Sequence, residues 1–265
     1  MYRYITFKNQ ELAYRLSGNG SKTLVLLHGF PESSDIFRNQ LPALEAHFTV
    51  IIPDLPGAGK SPYNDALTTM EDFAEAVYEI LQNENMKACT MIGHSMGGYI
   101  TLAFAEKHST QLNGFGLLHS HASADSEEGI ANRQKNIKSM QAYGAMPLLQ
   151  TMLPGLFGEK FKQEHPGVIE SLLREAGKMD VQALIRFQEI MIGRKDRTDV
   201  LKNSQVPVLF ILGTDDQSAR LENVLPQTKI PRRSEVVILQ DTGHMGMFEA
   251  VDEVNETILN FVSNV

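Results

Sequence analysis

The chain has 265 residues, enough for one large α/β domain or two small ones around a substantial core. Acidic residues (32) outnumber Lys and Arg (24), giving a formal net charge of −8. With no Lys/Arg-rich run, that balance argues against nucleic acid or an anionic membrane as a partner. The single cysteine, Cys89, excludes an internal disulfide and reads as a buried structural thiol. No basic segment with a long apolar run opens the chain, and no apolar run reaches spanning length, so a soluble cytoplasmic protein is expected.

Residues 2–7 and 11–16 are rich in Tyr, Ile, Phe and Leu and flank Lys8-Asn9-Gln10, which predicts an opening antiparallel hairpin. Thr23 to Leu27 is apolar on both faces, as a strand inside a mostly parallel sheet should be, and it runs into His28-Gly29-Phe30-Pro31. A helical stretch follows, then a second buried strand (Phe48 to Ile52) ending in Pro53-Asp54-Leu55-Pro56-Gly57-Ala58-Gly59-Lys60-Ser61. Thr68/Thr69 with Glu71/Asp72 has the form of an N-cap. Met70, Phe73, Ala74, Val77, Ile80 and Leu81 then keep helical spacing.

The apolar run Cys89 to Ile92 leads into Gly93-His94-Ser95-Met96-Gly97, and a helix (Met96 to Lys107) follows at once. This strand, sharp turn and helix is the setting of a G-x-S-x-G nucleophile elbow. The turn is strained, so the residues two before and two after Ser95 must be small; Gly93 and Gly97 meet that need. A strand at Gly114–Leu118 continues the strand–helix alternation that signals parallel crossovers.

From 119 to 202 the alternation stops. That stretch is helical and methionine-rich (Met140, Met146, Met152, Met179, Met191), with breaks at Pro147, Pro154 and Pro166. We expect residues 119–202 to be a helical cap inserted over the carboxyl edge of a core formed by 1–118 and 203–265. Most of the methionines should fill gaps in its core, and a few should line an apolar pocket. Strands at 206–213 and 235–239 resume the pattern, followed by Thr214-Asp215-Asp216 and Asp241-Thr242-Gly243-His244. A closing helix carries Val251, Val254, Ile258 and Phe261 on one face. The expected fold is α/β, with eight strands, the first pair antiparallel.

A serine hydroxyl needs a base, usually histidine, oriented by a carboxylate. In a doubly wound sheet the residues just past the strand ends converge on one edge. Ser95, Asp215/Asp216 and His244 each follow a strand, in the order Ser…Asp…His.

These motifs resemble the α/β-hydrolase fold superfamily over essentially the whole chain. The resemblance rests on His28-Gly29-Phe30-Pro31, the Asp54–Ser61 loop, Gly93-His94-Ser95-Met96-Gly97-Gly98, Gly213-Thr214-Asp215-Asp216, and Gly243-His244 with Glu249. The similar branch includes small esterases, cofactor-free haloperoxidases, carbon–carbon hydrolases, epoxide hydrolases and haloalkane dehalogenases. The resemblance implies Ser95 as nucleophile, His244 as general base and Asp216 as triad acid, with Asp215 as the alternative. It implies an oxyanion hole formed by the backbone N–H groups of Phe30 and Met96, and neither a cofactor nor a metal. In this branch epoxide hydrolases and dehalogenases carry aspartate at the nucleophile position, so serine implies attack on a carbonyl of a small to medium substrate. Carbon–carbon hydrolases also use serine, but their histidine commonly precedes a tryptophan, which this chain lacks entirely.

His28 is read as orienting the oxyanion loop, His94 as structural, and Asp54 as holding the Gly-Ala-Gly loop. His119 and His121, after a strand end, are candidates for touching substrate; no third ligand at a telling distance supports a metal there. Arg194, Lys195, Asp196 and Arg197 read as a solvated charged hinge, with a carboxylate-binding arginine as the alternative. Two rival functions share the triad: peroxide-dependent chemistry, and a slow-turnover ligand sensor on the same fold. Oligomeric state is left open by the motifs.

Overall fold

Strands buried on both faces need neighbours on both sides, and the sheet supplies them. The computed structural model describes residues 1–265. Its strands are β1 (Tyr2–Phe7), β2 (Gln10–Ser17), β3 (Thr23–Leu27), β4 (Thr49–Pro53), β5 (Cys89–His94), β6 (Leu112–Leu118), β7 (Val208–Gly213) and β8 (Ser234–Leu239). They form one eight-stranded sheet in the order β1-β2-β4-β3-β5-β6-β7-β8. β1 pairs antiparallel with β2 and β2 antiparallel with β4, and the remaining pairs are parallel. The central strands β3, β5 and β7 are buried at every residue, which is why they read as unbroken apolar runs. Cys89 opens β5 fully buried, and burial pushes its thiol up to about 12, an inert group.

The helices on this framework are α1 (Leu41–Glu45), α2 (Met70–Asn83) and α3 (Met96–Lys107), all before β6. Thr69 caps α2 through a complete capping box. Its Oγ1 accepts from the Asp72 N–H at 3.1 Å, and an Asp72 carboxylate oxygen accepts from the Thr69 N–H at 3.1 Å. α2 turns Phe73, Ala74, Val77, Ile80 and Leu81 inward and packs on α3.

Between β6 and β7 lie six α-helices: α4 (Glu127–Tyr143), α5 (Met146–Met152), α6 (Glu159–Glu164), α7 (Pro166–Ala176), α8 (Val181–Ile192) and α9 (Thr198–Asn203). Pro147 and Pro166 stand in the first turns of α5 and α7, where a missing N–H costs nothing. Phe187 of α8 packs edge-on against Phe30 and Phe73, with ring centroids 6.3 and 5.9 Å apart. This seats the helical stretch on the loop that follows β3 and on α2. Met140 and Met191 are buried as gap-filling core, whereas Met146 is 39% exposed.

After β7 come α10 (Leu221–Val224), α11 (Gly246–Glu249) and the closing α12 (Val251–Asn264), which buries Val254, Ile258, Phe261 and Val262. No helix is long and apolar enough to cross a membrane.

The strand order fixes where chemistry can gather. The chain lays β4 on one side of β3 and then crosses to put β5 on the other. A crevice therefore opens between the turns that follow β3 and β5. Leu27 is in register with Gly93, His94 with Leu118, Leu118 with Ile211, and Gly213 with Leu239. The residues after β3, β5, β6, β7 and β8 consequently share one edge.

Candidate active site

Ser95 sits between β5 and α3 at φ 51° and ψ −115°, a conformation that costs a non-glycine residue about 1–3 kcal/mol. Its surroundings enforce it. A Cβ on Gly93 would lie 2.2 Å from the Gly97 carbonyl carbon, and one on Gly97 would lie 2.3 Å from the Leu27 oxygen. The Ser95 N–H donates to the Leu118 carbonyl at 3.0 Å, and its own carbonyl accepts from the Ser120 hydroxyl at 2.7 Å. The backbone of Ser95 is thus fixed while its side chain stays half-buried on the crevice.

The loop after β3 passes directly beside it: a Cβ on Gly29 would come 3.0 Å from the Ser95 Cβ. His28 holds this loop, donating from Nδ1 to the Gly29 carbonyl at 2.9 Å and accepting the Leu55 N–H on Nε2 at 3.0 Å. That pattern requires the neutral Nδ1–H tautomer, and burial lowers the histidine's pKa accordingly. Asp54 fixes the neighbouring loop by accepting the Ser34 and Lys60 N–H groups, each at 2.9 Å.

Of the two adjacent aspartates, Asp216 faces His244. Its oxygens lie 2.8 and 3.0 Å from His244 Nδ1, and it also accepts the Ser218 and Ala219 N–H groups at 2.8 Å each. Burial opposes charge on Asp216, but His244 and His119 outweigh it and hold the carboxyl far below the ordinary range. Asp215 is exposed and its carboxylate accepts only a hydroxyl, that of Thr214, at 3.1 Å. Burial likewise disfavours the His244 cation, yet the Asp216 carboxylate prevails and holds its pKa above the ordinary value. With Nδ1 engaged, Nε2 is the nitrogen left for proton transfer.

His119 departs from expectation. It is 0% exposed and both nitrogens are committed: Nδ1 to Asp216 at 3.1 Å and Nε2 to the Gly246 N–H at 3.2 Å. A side chain so enclosed cannot touch substrate, and burial pushes its pKa down to about 4. His121 is partly buried, its Nε2 is 3.2 Å from the Tyr99 hydroxyl, and burial followed by the nearby Arg194 pushes it down to about 4.

The grouping of His119, Asp216 and His244 within 4.8 Å brings a carboxylate to His119 that the sequence had not placed there. It does not suit a metal. His119 Nε2 accepts a hydrogen bond from the Gly246 N–H, so the ring's own proton is on Nδ1 and points at Asp216, leaving that nitrogen no lone pair to offer.

Arg194 and Arg197 also overturn the solvated-hinge reading. Both are buried, because each is folded back onto acids: Arg194 on Asp125 at 2.8 Å, Arg197 on Glu71 at 2.8 Å and Glu106 at 3.1 Å. Lys195 and Asp196 alone are exposed.

Sequence reasoning missed Glu32. Buried on the crevice wall, it accepts the Gly29 N–H at 2.7 Å and meets His94 Nδ1 at 2.9 Å. Burial opposes its charge, and the adjacent His94 outweighs that and keeps its pKa below the ordinary value. In sequence it follows a proline in a polar stretch and looks like any surface glutamate. Glu249, noted as a motif position, accepts three backbone N–H groups, from Gly158, Gly243 and Met245, at 2.8–3.0 Å. It thereby ties the loop bearing His244 to the segment before α6. A cavity of about 470 Å³ adjoins Glu32 and Met245, walled on its far side by Leu153, Leu172, Ala176 and Met179.

The profile of the alpha/beta hydrolase fold family matches residues 22–251. The chain belongs to the α/β-hydrolase fold family, a family of enzymes. It is 28% identical over 272 residues to Lipase 1 of Psychrobacter immobilis, covering 96% of this chain and 81% of the lipase. It is 29% identical over 261 residues to the dihydrolipoyllysine-residue acetyltransferase component of the acetoin cleaving system of Pseudomonas putida. That match takes in 94% of this chain but 65% of the relative, so the chain spans about two thirds of that protein. Among solved structures it superposes on a malate-bound thermophilic esterase from Thermogutta terrifontis with a TM-score of 0.94. The identity there is 28%, over 100% of this chain and 98% of the other.

Proposed function

We propose that the protein is a serine hydrolase that cleaves an ester-like carbonyl of a small to medium substrate through an acyl-enzyme on Ser95. The observation that carries this reading is the pairing of His244 with Asp216 on the same sheet edge as a serine held at φ 51° on the elbow. Ser95 attacks, His244 takes its proton through Nε2 and returns it to the leaving group, and Asp216 stabilises the imidazolium. The Met96 N–H begins α3 and has no partner within the helix. The Phe30 N–H lies outside any helix or strand and bonds no protein acceptor. Together they act as the oxyanion hole, worth several kcal/mol of barrier. Water then releases the acyl group.

Residues 119–202 serve as the cap, and the cavity beneath them takes the apolar part of the substrate. Ile36, Leu153, Leu172 and Met179 in its lining support that assignment. Met179 there fits the pocket role expected of a few methionines.

The test is fluorophosphonate labelling of the protein and of Ser95→Ala, with mass spectrometry of the adduct, alongside turnover of p-nitrophenyl esters of graded acyl length. Stoichiometric labelling at Ser95 together with multiple turnovers supports the enzyme. Ester turnover surviving in Ser95→Ala would sink it, and labelling with tight product retention and negligible turnover would favour a ligand sensor.

A further inference from the structure

Triad histidines are oriented by a carboxylate, but here the carboxylate has an orienting group of its own. We propose that His119 is a positioning residue for Asp216, fixing the acid's rotamer and tying it to the loop that carries His244. The inference rests on the triad reading above.

The bridge is continuous. His119 Nδ1–H donates to Asp216 Oδ2 at 3.1 Å, and its Nε2 accepts the N–H of Gly246 at 3.2 Å, two residues beyond His244. The imidazole thus spans the turn after β7 and the turn after β8, the two segments that must stay in register for acid and base to meet. The molecule is shaped around it. His119 is held at φ 49°, a left-handed conformation that is strained for a β-carbon residue. A Cβ on Gly246 would fall 2.5 Å from Nε2, so this glycine clears space for the ring. Strain, a glycine that makes room and two satisfied nitrogens are more than filling a gap requires.

The charges facing this ring come from each element packed on it: Asp216 after β7, His244 after β8, and His94 from β5, whose ring centroid is 6.2 Å away. Asp216 is the only carboxylate His119 touches, and it already receives His244 and two backbone N–H groups. His119 therefore shares the carboxylate's charge with His244. Without it, Asp216 turns more of that charge on His244, the imidazolium is favoured, and the pair loses its anchor at Gly246.

The test is kcat and KM against pH for p-nitrophenyl acetate hydrolysis by the wild type, His119→Ala and His119→Asn, with Ser95→Ala as control. Asparagine keeps an N–H on the atom equivalent to Nδ1. His119→Ala is expected to lower kcat by roughly 10- to 100-fold with KM near wild type, and to move the acidic limb of kcat/KM to higher pH. His119→Asn is expected to restore most of kcat and return the limb. A folded His119→Ala with wild-type kcat and an unmoved limb overturns the proposal while leaving the triad standing. So does His119→Asn as impaired as His119→Ala, which would mark the ring as packing alone. Activity persisting in Ser95→Ala would instead remove the triad reading, and this proposal with it. If His119→Ala does not fold, histidine-¹⁵N NMR of the wild type decides. Two buried imidazoles, His28 and His119, should be neutral Nδ1–H tautomers that stay neutral while His244 titrates, and an Nε2–H tautomer at His119, told from His28 by the signals lost in His28→Asn, overturns the proposal.

Discussion

His94 Nε2–H donates to the backbone carbonyl of His244 at 2.9 Å, so the residue before the elbow serine holds the backbone of the partner histidine. Its other nitrogen meets Glu32, which in turn accepts the Gly29 N–H. One buried chain of three contacts therefore spans the loop after β3, the elbow and the loop after β8. The carbonyl of His244 can only accept, so His94 Nε2 carries a proton. The contact with Glu32 needs a second one, shared between Nδ1 and the carboxyl.

Glu32→Ala should cut this chain at both contacts. Each buried donor left without an acceptor costs about 1–3 kcal/mol. The variant should show a lower urea midpoint and slower ester turnover, with Glu32→Gln, which keeps one acceptor oxygen, in between. Wild-type stability and turnover in Glu32→Ala would mean that the chain is incidental.

Asp216→Asn should reduce kcat on the order of 10⁴-fold, because an amide no longer fixes the His244 tautomer or stabilises the imidazolium. Asp215→Asn should leave kcat near wild type, since Asp215 is exposed and its carboxylate is bonded only to Thr214. Steady-state kinetics of the two variants on one ester compares the neighbours directly. Equal losses would contradict the assignment.

The pH dependence follows from the directions of the histidine shifts. In the proposed mechanism His244 must be neutral to act as base, and its pKa is raised, so kcat/KM should fall on acidification with a midpoint above about 6.5. The stability terms have opposite signs. The contribution of His244 is complete below its unfolded value and is lost as pH rises through its folded one. His119, pushed down to about 4, binds its proton more readily unfolded, so stability drops as pH falls from about 6.5 toward that value. Melting temperatures across this range should show the acidic loss in the wild type and a shallower one in His119→Asn. Equal slopes would remove His119 as the source.

Much of this was legible in the chain because it is local. Gly93 and Gly97 mark the elbow by being the only residues that fit it, and β3, β5 and β7 announce themselves as apolar runs because neighbours cover both faces. Ser95, Asp216 and His244 could be picked out because each follows a strand end, and strand ends meet on one edge. What could not be read depends on contacts between distant segments. Glu32 is told from a surface acid only by His94, 62 residues away. His119 stands in the right turn to touch substrate, and only its pairing with Asp216, 97 residues on, turns it inward. Arg194 and Arg197 sit in a stretch of four charges that looks solvated until Asp125, Glu71 and Glu106 fold against it.

That last group gives a contrast on a shared partner. Lys195 and Arg197 both reach Glu71 Oε1, at 2.7 and 2.8 Å. The Lys195 side chain is 66% exposed, whereas that of Arg197 is 3% exposed and also bonds Glu106. An exposed pair exchanges water for a partner at almost no net gain, so Lys195→Ala should leave the urea midpoint at the wild-type value. Arg197→Ala removes a buried guanidinium with two charge-assisted bonds, and the acids it leaves can rehydrate because both are partly exposed. The cost should be about 1.5–3 kcal/mol, below that of stranding a fully buried charge. Arg197 also lies where α9 begins, and its N–H donates to the Ala122 carbonyl at 2.8 Å, joining the two ends of the helical stretch. Hydrogen exchange should therefore quicken around residues 119–125 and 194–200 in Arg197→Ala and in neither place in Lys195→Ala. If the two variants proved equally stable, burial would not be what separates these pairs.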